Sequence, residues 1–108
     1  MSSHTITVAL ANDDNIFKKG LKVSVEKFPR ITIIGEATNT RELVKFLSHN
    51  HPDVILLDLQ MNGGGLGVIK KIFAQKPGAN IIILSSVLEE HLILQIIEAG
   101  ISGFLLKT

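Results

Sequence analysis

The chain has 108 residues, of which 45% are hydrophobic and 19% charged, with a formal net charge of +1. This length supports one hydrophobic core and is too short for two domains. The near-neutral charge gives no sign of a nucleic-acid-binding surface, and the absence of cysteine excludes disulfides and thiolate chemistry. No apolar run is long enough to cross a bilayer, so we expect a cytoplasmic protein without membrane contact.

Short apolar runs alternate with longer amphipathic stretches along the chain. The predicted strands cover residues 5–11, 31–36, 53–58, 80–85 and 102–106. Continuously apolar runs such as 81–84 are typical of parallel strands that helices cover on both faces.

Helical patterns fill the intervals between these strands. In the first helix, an apolar stripe that should face a core is formed by Phe17, Leu21, Val25 and Phe28. A similar stripe in the second helix is formed by Leu43, Val44, Phe46 and Leu47.

Two pairs of residues have the spacing of helix-start caps. Asn39 with Glu42, and Ser86 with Glu89, predict helix starts near residues 40 and 87. Gly100 after an alanine predicts a helix stop, because glycine adopts the left-handed conformation easily.

The resulting order, β-α-β-α-β-α-β-α-β, predicts an α/β doubly wound three-layer domain with a parallel sheet. The final helix that such a domain normally adds after its fifth strand is missing at Thr108. We therefore expect residues 1–108 to form one domain that ends before its last helix. The first helix alone would cover one sheet face, leaving apolar surface for a partner or further chain to cover.

Polar residues stand where the apolar runs end. These residues are Asn12, Asp13, Asp58, Ser85 and Lys107. The carboxyl ends of parallel strands converge on one crevice, where open α/β sheets bind ligands. A carboxylate nucleophile beside a cation site is the leading hypothesis.

The stretch 11–21, Ala-Asn-Asp-Asp-Asn-Ile-Phe-Lys-Lys-Gly-Leu, resembles Ala-Asp-Asp-His-Pro-Leu-Phe-Arg-Arg-Gly-Leu in response regulator receiver domains of the NarL/FixJ type. Asn12 and Asp13 then match the acidic pair of this CheY-like family. The alternative pair, Asp13 and Asp14, would shift Phe17 and Gly20 out of place. The resemblance covers the chain up to the missing helix and implies a flavodoxin-like strand order, 2-1-3-4-5.

The resemblance also implies roles for residues at the other strand ends. Asp58, in Asp-Leu-Gln-Met, matches the phosphoacceptor, and Ser85 matches a hydroxyl residue that hydrogen-bonds the phosphoryl group. In Gly-Phe-Leu-Leu-Lys-Thr, Phe104 matches an aromatic switch residue and Lys107 the lysine that pairs with the acceptor. Ser85 would share in the switch by drawing its loop inward.

Phosphoryl transfer to a carboxylate brings two anions together, so a divalent cation must neutralise charge. Mg²⁺ prefers oxygen ligands. Asp13 and Asp58 would supply carboxylates, the backbone carbonyl of Gln60 a third oxygen by analogy, and Asn12 a contact through water.

Several of these residues have structural alternatives. Asp58 could cap the following turn, Ser86 competes with Ser85, and Phe104 could simply be a core residue. Asp14 is expected to cap a helix or face solvent, and the lysines of the first helix to face either solvent or an acidic partner.

Two departures from the family pattern weaken the site. Asn12 is neutral where the family has a second acid, so Mg²⁺ should bind less tightly. The three glycines at 63–65 lose much conformational entropy on ordering, so their loop should be mobile unless it is pinned.

Three functions follow from this sequence. The first is a phosphorylation switch that takes a phosphoryl group from a sensor histidine kinase, with a homodimer favoured by the apolar stretch 92–97. The second is a degenerate receiver that binds proteins without phosphorylation. The third, a nucleotide-binding enzyme, fits poorly because the glycines lack GxGxxG spacing. The chain itself should not bind DNA, although a parent protein could.

Overall fold

The computed structural model describes residues 5–61, 65–86 and 89–107. Its strands are β1 Ile6–Ala11, β2 Ile31–Ala37, β3 Val54–Asp58, β4 Ile81–Ser85 and β5 Gly103–Leu106. Its helices are α1 Asn15–Val25, α2 Thr40–Leu47, α3 Leu66–Gln75 and α4 Glu90–Glu98. Each strand boundary agrees with the sequence-based prediction to within one residue.

The five strands form one parallel sheet in the order β2-β1-β3-β4-β5. This is the flavodoxin-like order, so the predicted fold class is confirmed. The ends of the central strands are level in the register, because Ala11 pairs with Leu57 and Asp58 pairs with Leu84. Ser85 pairs with Leu106 at the next position. The loops that leave β1, β3, β4 and β5 therefore start from the same edge of the sheet.

Neighbouring residues of β2 show that α1 and α2 lie on opposite faces of the sheet. Gly35 faces Phe46 of α2 so closely that a Cβ atom at Gly35 would overlap the ring. The next residue, Glu36, forms ion pairs with Lys18 and Lys22 of α1. Successive side chains of a strand point to opposite faces, which explains this division.

The main core lies on the α2 face, where apolar residues of α2, α3 and α4 meet the sheet. Its largest fully buried side chains include Leu43, Leu47, Ile55, Leu57, Ile69, Ile72, Ile81, Ile83 and Ile96.

The α1 face is covered less completely. Leu56 and Ile82 are only half-buried, although their neighbours in β3 and β4 are fully buried. Leu105 of β5 is 53% exposed. In the described part of the chain, α1 is the helix that packs on this face. It does not cover the whole face, so part of the apolar surface of the sheet stays exposed, as the sequence predicts.

Three predicted helix ends agree with the structure. Asn39 caps α2 by accepting a hydrogen bond from the Glu42 backbone N–H (2.9 Å), and the Glu42 carboxylate accepts from the Thr38 N–H (2.8 Å). Asp14 caps α1, and Gly100 follows α4 with a φ of 100°. The α2 cap differs slightly from the predicted reciprocal pair, because Glu42 reaches one residue further back.

The predicted start of α4 is wrong. The helix begins at Glu90, and Glu89 stands at its N-cap position without a side-chain cap. Ser86 does not cap the helix, because its backbone N–H and hydroxyl donate to Gln60 Oε1 at 3.2 and 2.7 Å. The predicted start at residue 87 lies outside the described residues, as do residues 63 and 64 of the glycine run.

The predicted apolar stripe of α1 is wrong at its last position. The helix ends at Val25, and Phe28 is 59% exposed in the turn that leads to β2. This turn is closed by backbone hydrogen bonds from Phe28 to Val25 and from Ile31 to Phe28. The helical period therefore stops before it would bring Phe28 onto the sheet.

In the described segments, no helix combines the length and apolar character needed to cross a membrane.

Candidate functional site

The centre of the site is the buried carboxylate of Asp58, the last residue of β3. Its side chain is only 1% exposed. One oxygen, Oδ1, accepts a hydrogen bond from the Gln60 backbone N–H at 2.9 Å, and Oδ2 accepts from Lys107 Nζ at 2.8 Å. A buried charge is costly unless it is paired, and these two donors satisfy that requirement.

Lys107 reaches this carboxylate from the residue after β5. Its backbone N–H donates to the Ser85 carbonyl at 2.7 Å, which fixes the start of the side chain beside β4. The ammonium also lies over the Phe17 ring, 4.7 Å from the ring centre. The Lys107 side chain is 19% exposed, whereas that of Asp58 is 1% exposed, so the lysine is the more solvent-accessible partner of the pair.

The two adjacent serines after β4 differ in position. Ser85 is fully buried at the strand end, whereas Ser86 is exposed and bonded to Gln60. Ser86 thus links the loop after β4 to the loop after β3. Because Ser86 is already bonded to Gln60, Ser85 is the better candidate of the two serines for the site. Its role in binding a phosphoryl group stays a prediction.

Asn12 continues β1 beyond Ala11 and so lies beside Asp58 in the extended register. It is 2% exposed, and its Oδ1 accepts a hydrogen bond from the Asp14 backbone N–H at 2.6 Å. Its Nδ2 is buried without a hydrogen-bond partner. An aspartate here would place a second oxygen where this unpaired donor stands.

Asp13 and Asp14 follow in the loop that leads to α1. Asp14 uses its carboxylate to accept hydrogen bonds from the Ile16 and Phe17 N–H groups at 3.0 and 3.1 Å. That use as a helix cap disfavours the alternative register in which Asp14 serves the cation site. Asp13 is exposed beside the buried Asn12.

The donor set at this edge consists of hard oxygens, which is the chemistry that Mg²⁺ requires. Asp13 and Asp58 provide two carboxylates, and Asn12 adds no charge. Among the residues that the structure describes, no group of three or more histidine, cysteine or acidic side chains is placed to hold a metal ion, so protein carboxylates alone would not complete a coordination shell. The residue types present are therefore compatible with a cation that two carboxylates would hold, with backbone oxygen and water completing its shell.

Phe104 packs against the main core from β5, paired with Ile83. It is only partly buried. The packing agrees with its structural alternative as a core residue, and its role as a switch residue stays a prediction.

Sequence reasoning missed two contacts of the site. The sequence predicts the Phe17 ring only as part of an apolar stripe, and it predicts no partner for the Gln60 side chain. No sequence signal marks either contact, because each depends on side-chain direction across elements that are remote in the chain.

The lysines of α1 pair within the chain. Glu36 binds Lys22 at 2.7 Å and lies 4.0 Å from Lys18, whose side chain is largely buried. The hydrogen bond from Lys22 to Glu36 and the attraction between their charges raise the pKa of Lys22. Of the two alternatives for these lysines, this arrangement disfavours an external acidic partner, because Glu36 of the same chain already pairs with them.

The fold and the strand-end residues together define a class of protein. It is a doubly wound α/β domain with a lysine-paired aspartate at the carboxyl edge of its sheet. Residues 8–108 match the family model for the response regulator receiver domain. The chain belongs to this family and is a signalling domain of two-component systems.

Curated relatives place the chain near the NarL/LuxR group. It is similar to the transcriptional regulatory proteins YdfI and LiaR of Bacillus subtilis, with 41% identity over 101 residues and 38% over 104. These alignments cover 93% and 95% of this chain but 47% and 49% of the relatives. The chain thus spans about half the length of the curated relatives it matches.

Solved structures agree with this placement. The isolated receiver domain of RcsB from Salmonella enterica serovar Typhimurium, determined with the phosphomimetic BeF3⁻, has a TM-score of 0.91 and 26% identity. The match covers 96% of this chain and 78% of that one. A LuxR-family response regulator from Aurantimonas sp. SI85-9A1 matches with a TM-score of 0.89 at 27% identity, over 96% of this chain and 75% of that one.

Proposed function

We propose that Asp58 accepts a phosphoryl group from a sensor histidine kinase. The observation that carries this proposal is the buried Asp58 carboxylate with the Lys107 ammonium 2.8 Å away. In the transfer, an Asp58 oxygen forms a bond to phosphorus while the phosphorus–nitrogen bond to the kinase histidine breaks. The electron pair of the broken bond stays on the histidine nitrogen, and the ring takes up one proton from water, so the products are an acyl phosphate and a neutral imidazole. A kinase that draws its phosphate from ATP implies that this receiver works in the cytoplasm.

The charges of the site explain why the transfer needs assistance. A carboxylate and a phosphoryl group repel each other, and the Lys107 ammonium offsets part of that repulsion as a compact charge. Before transfer, this ammonium pairs with the Asp58 carboxylate. After transfer, it would donate to a phosphoryl oxygen, with the Ser85 hydroxyl donating to another.

We infer that Asp13, Asp58, the Gln60 carbonyl and, through water, Asn12 would hold Mg²⁺. The cation, when bound, neutralises charge that develops on the phosphoryl oxygens. The chain's own residues determine how tightly it is held, and the neutral Asn12 lowers that affinity.

The proposed switch joins the loop after β4 to β5. Ser85 would draw its loop toward the phosphoryl group, and Phe104 would then change its packing beside α4. The hydrogen bonds from Ser86 to Gln60 connect this loop to the acceptor's own loop, so movement of one affects the other.

The response to phosphorylation would be produced by a longer protein that contains this domain. Because the relatives are about twice as long and are named as transcriptional regulators, we infer a parent with a DNA-binding domain. This chain would not bind DNA itself. We also propose that residues 1–108 belong to one receiver domain, that a partner covers the apolar surface of the α1 face, and that homodimers form through the apolar surface of α4.

Mass spectrometry of the full chain tests the acceptor. With Mg²⁺ and acetyl phosphate, the wild type should gain the mass of one phosphoryl group, labile to hydroxylamine, and Asp58→Asn should gain none. Asp53→Asn is a matched control, because this exposed carboxylate bonds Thr7 at the opposite end of β3. A gain that resists hydroxylamine, or one that persists in Asp58→Asn, would contradict the proposal.

A degenerate receiver is the second candidate, favoured by the unpaired Nδ2 of Asn12. It predicts no mass gain even at high concentrations of acetyl phosphate and Mg²⁺. Absence of any gain in the wild type under those conditions would support it over the phosphorylation switch.

A further inference from the structure

The Lys107 ammonium has a second neighbour that the proposed transfer does not use. Its Nζ lies 2.8 Å from Asp58 Oδ2 and 4.7 Å from the centre of the Phe17 ring. Three separate elements, α1, β3 and the end of β5, thus meet at one charged group.

An aromatic ring and a polar group would hold this ammonium in different ways. The face of a phenylalanine ring is electron-rich and attracts a cation. Unlike a carboxylate oxygen, it has no lone pair that accepts a hydrogen bond from the ammonium. An ammonium has three N–H donors, and Asp58 takes one. A carboxylate at position 17 would take another, whereas the ring leaves donors available for phosphoryl oxygens.

Both sides of the contact are anchored through the backbone. The Phe17 N–H donates to the Asp14 carboxylate, and the Asp14 N–H donates to Asn12 at the end of β1. On the other side, the Lys107 N–H donates to the Ser85 carbonyl. The ring and the ammonium are therefore both tied to the strand ends that form the site.

From this arrangement we propose that Phe17 is a positioning residue, which holds the Lys107 ammonium over the acceptor so that its remaining donors can meet the incoming phosphoryl group. The inference rests on the proposed phosphorylation of Asp58. Loss of the ring would let the flexible lysine chain sample other positions, and transfer would slow.

The test compares variants with and without a ring at position 17. Phe17→Leu and Phe17→Met keep an apolar side chain but remove the ring, whereas Phe17→Tyr keeps it. Phe28→Leu is the matched control, because Phe28 is exposed in the turn after α1, at the opposite end of the helix from the site.

Two measurements are made on each folded variant, with urea unfolding to establish that it is folded. The first is the proton chemical shift of the Lys107 side-chain methylenes, which we expect the ring current of Phe17 to move upfield, because Nζ lies over the ring. The second is the rate of phosphoryl mass gain with acetyl phosphate and Mg²⁺. We expect Phe17→Leu and Phe17→Met to lose the upfield shift and to slow the gain by about two- to fivefold.

The ring-bearing variant separates positioning from packing. Phe17→Tyr and Phe28→Leu should retain both the upfield shift and the wild-type rate. A wild-type rate in folded Phe17→Leu or Phe17→Met would overturn the inference, as would an equal slowing in Phe17→Tyr.

Failure of the proposed function gives a different result. If the wild type gains no mass, the phosphorylation proposal fails together with the role of Phe17 in transfer, whereas the chemical shift still reports the contact itself. If the wild type gains mass and the ring-free variants match its rate, this inference alone fails.

Discussion

At the residue scale, Asp58 and Lys107 show how the fold makes an ion pair that neither residue could form in a short peptide. They lie 49 positions apart in the chain, and parallel pairing of β3 with β4 and of β4 with β5 brings them together. Burial removes Asp58 from water, so the ammonium and the Gln60 N–H must replace the hydration that the carboxylate loses. The chemistry of the site therefore depends on the register of the sheet.

The neutral side chain of Asn12 should limit the affinity for Mg²⁺. We predict that Asn12→Asp binds Mg²⁺ about tenfold more tightly, because its second oxygen replaces the unpaired Nδ2. Without Mg²⁺, the variant should be less stable than the wild type, since a second carboxylate then lies close to Asp58. Thermal unfolding with and without Mg²⁺ measures both effects, because a ligand stabilises the state that binds it.

Asn15→Asp is the matched control for this prediction. It adds the same charge at the exposed first residue of α1, outside the proposed donor set. Equal stabilisation of Asn12→Asp and Asn15→Asp by Mg²⁺ would show that general charge, and not a ligand position, is responsible.

At the scale of the elements, the start of α2 depends on an ionised glutamate. The backbone N–H of Thr38, and then its hydroxyl, donate to the Glu42 carboxylate and hold the pKa of Glu42 below its usual value of 4.5. A lowered pKa in the folded state means that the ionised group stabilises folding above the pKa of the unfolded chain. This stabilisation is lost as the pH falls through the folded pKa.

Glu42→Gln should therefore show a weaker loss of stability on acidification than the wild type. Urea unfolding between about pH 6 and about pH 3 measures the difference. Glu98→Gln, which alters an exposed glutamate at the end of α4, is the control and should follow the wild-type pH dependence. Parallel curves for the wild type and Glu42→Gln would contradict the assigned role of the cap.

At the scale of the whole molecule, the outer surface of α4 is apolar enough to support self-association. Leu94 and Ile97 are 51% and 54% exposed, whereas Ile96 is buried against the core. We predict that the double variant Leu94→Gln, Ile97→Gln shifts any homodimer of the phosphorylated chain toward monomer, because it removes apolar area from the contact. Sedimentation with and without acetyl phosphate measures the shift.

A variant on α1 controls for a general loss of surface hydrophobicity. Val23→Gln changes a residue that is also largely exposed but lies on the other side of the sheet. If this variant dissociates the dimer and the α4 double variant does not, the interface lies on the α1 face instead.

Much of the architecture could be predicted from local patterns in the sequence. Apolar runs identified all five strands because buried parallel strands have a composition that few other elements share. The polar residues at their ends indicated the site, and the predicted pairing of Lys107 with Asp58 is present in the structure.

The remaining features depend on contacts that sequence patterns do not encode. The Ser86 and Glu89 spacing suggested a cap, but the side chain of Gln60, 26 positions away, binds Ser86 instead. Phe17 has the same apolar character whether its ring meets a core or a cation. Phe28 continued a helical period beyond the end of the helix, because periodicity does not reveal where a chain turns.

The meeting of Phe17, Asp58 and Lys107 also links competence for signalling to completion of folding. These residues come from near the beginning, the middle and near the end of the described chain, so they assemble only when the distant strand pairings have formed. A nascent or partly unfolded copy would contain Asp58 without the Lys107 ammonium beside it. In the phosphoryl transfer proposed above, such a copy would be a poor acceptor, so the native topology would restrict the transfer to folded copies.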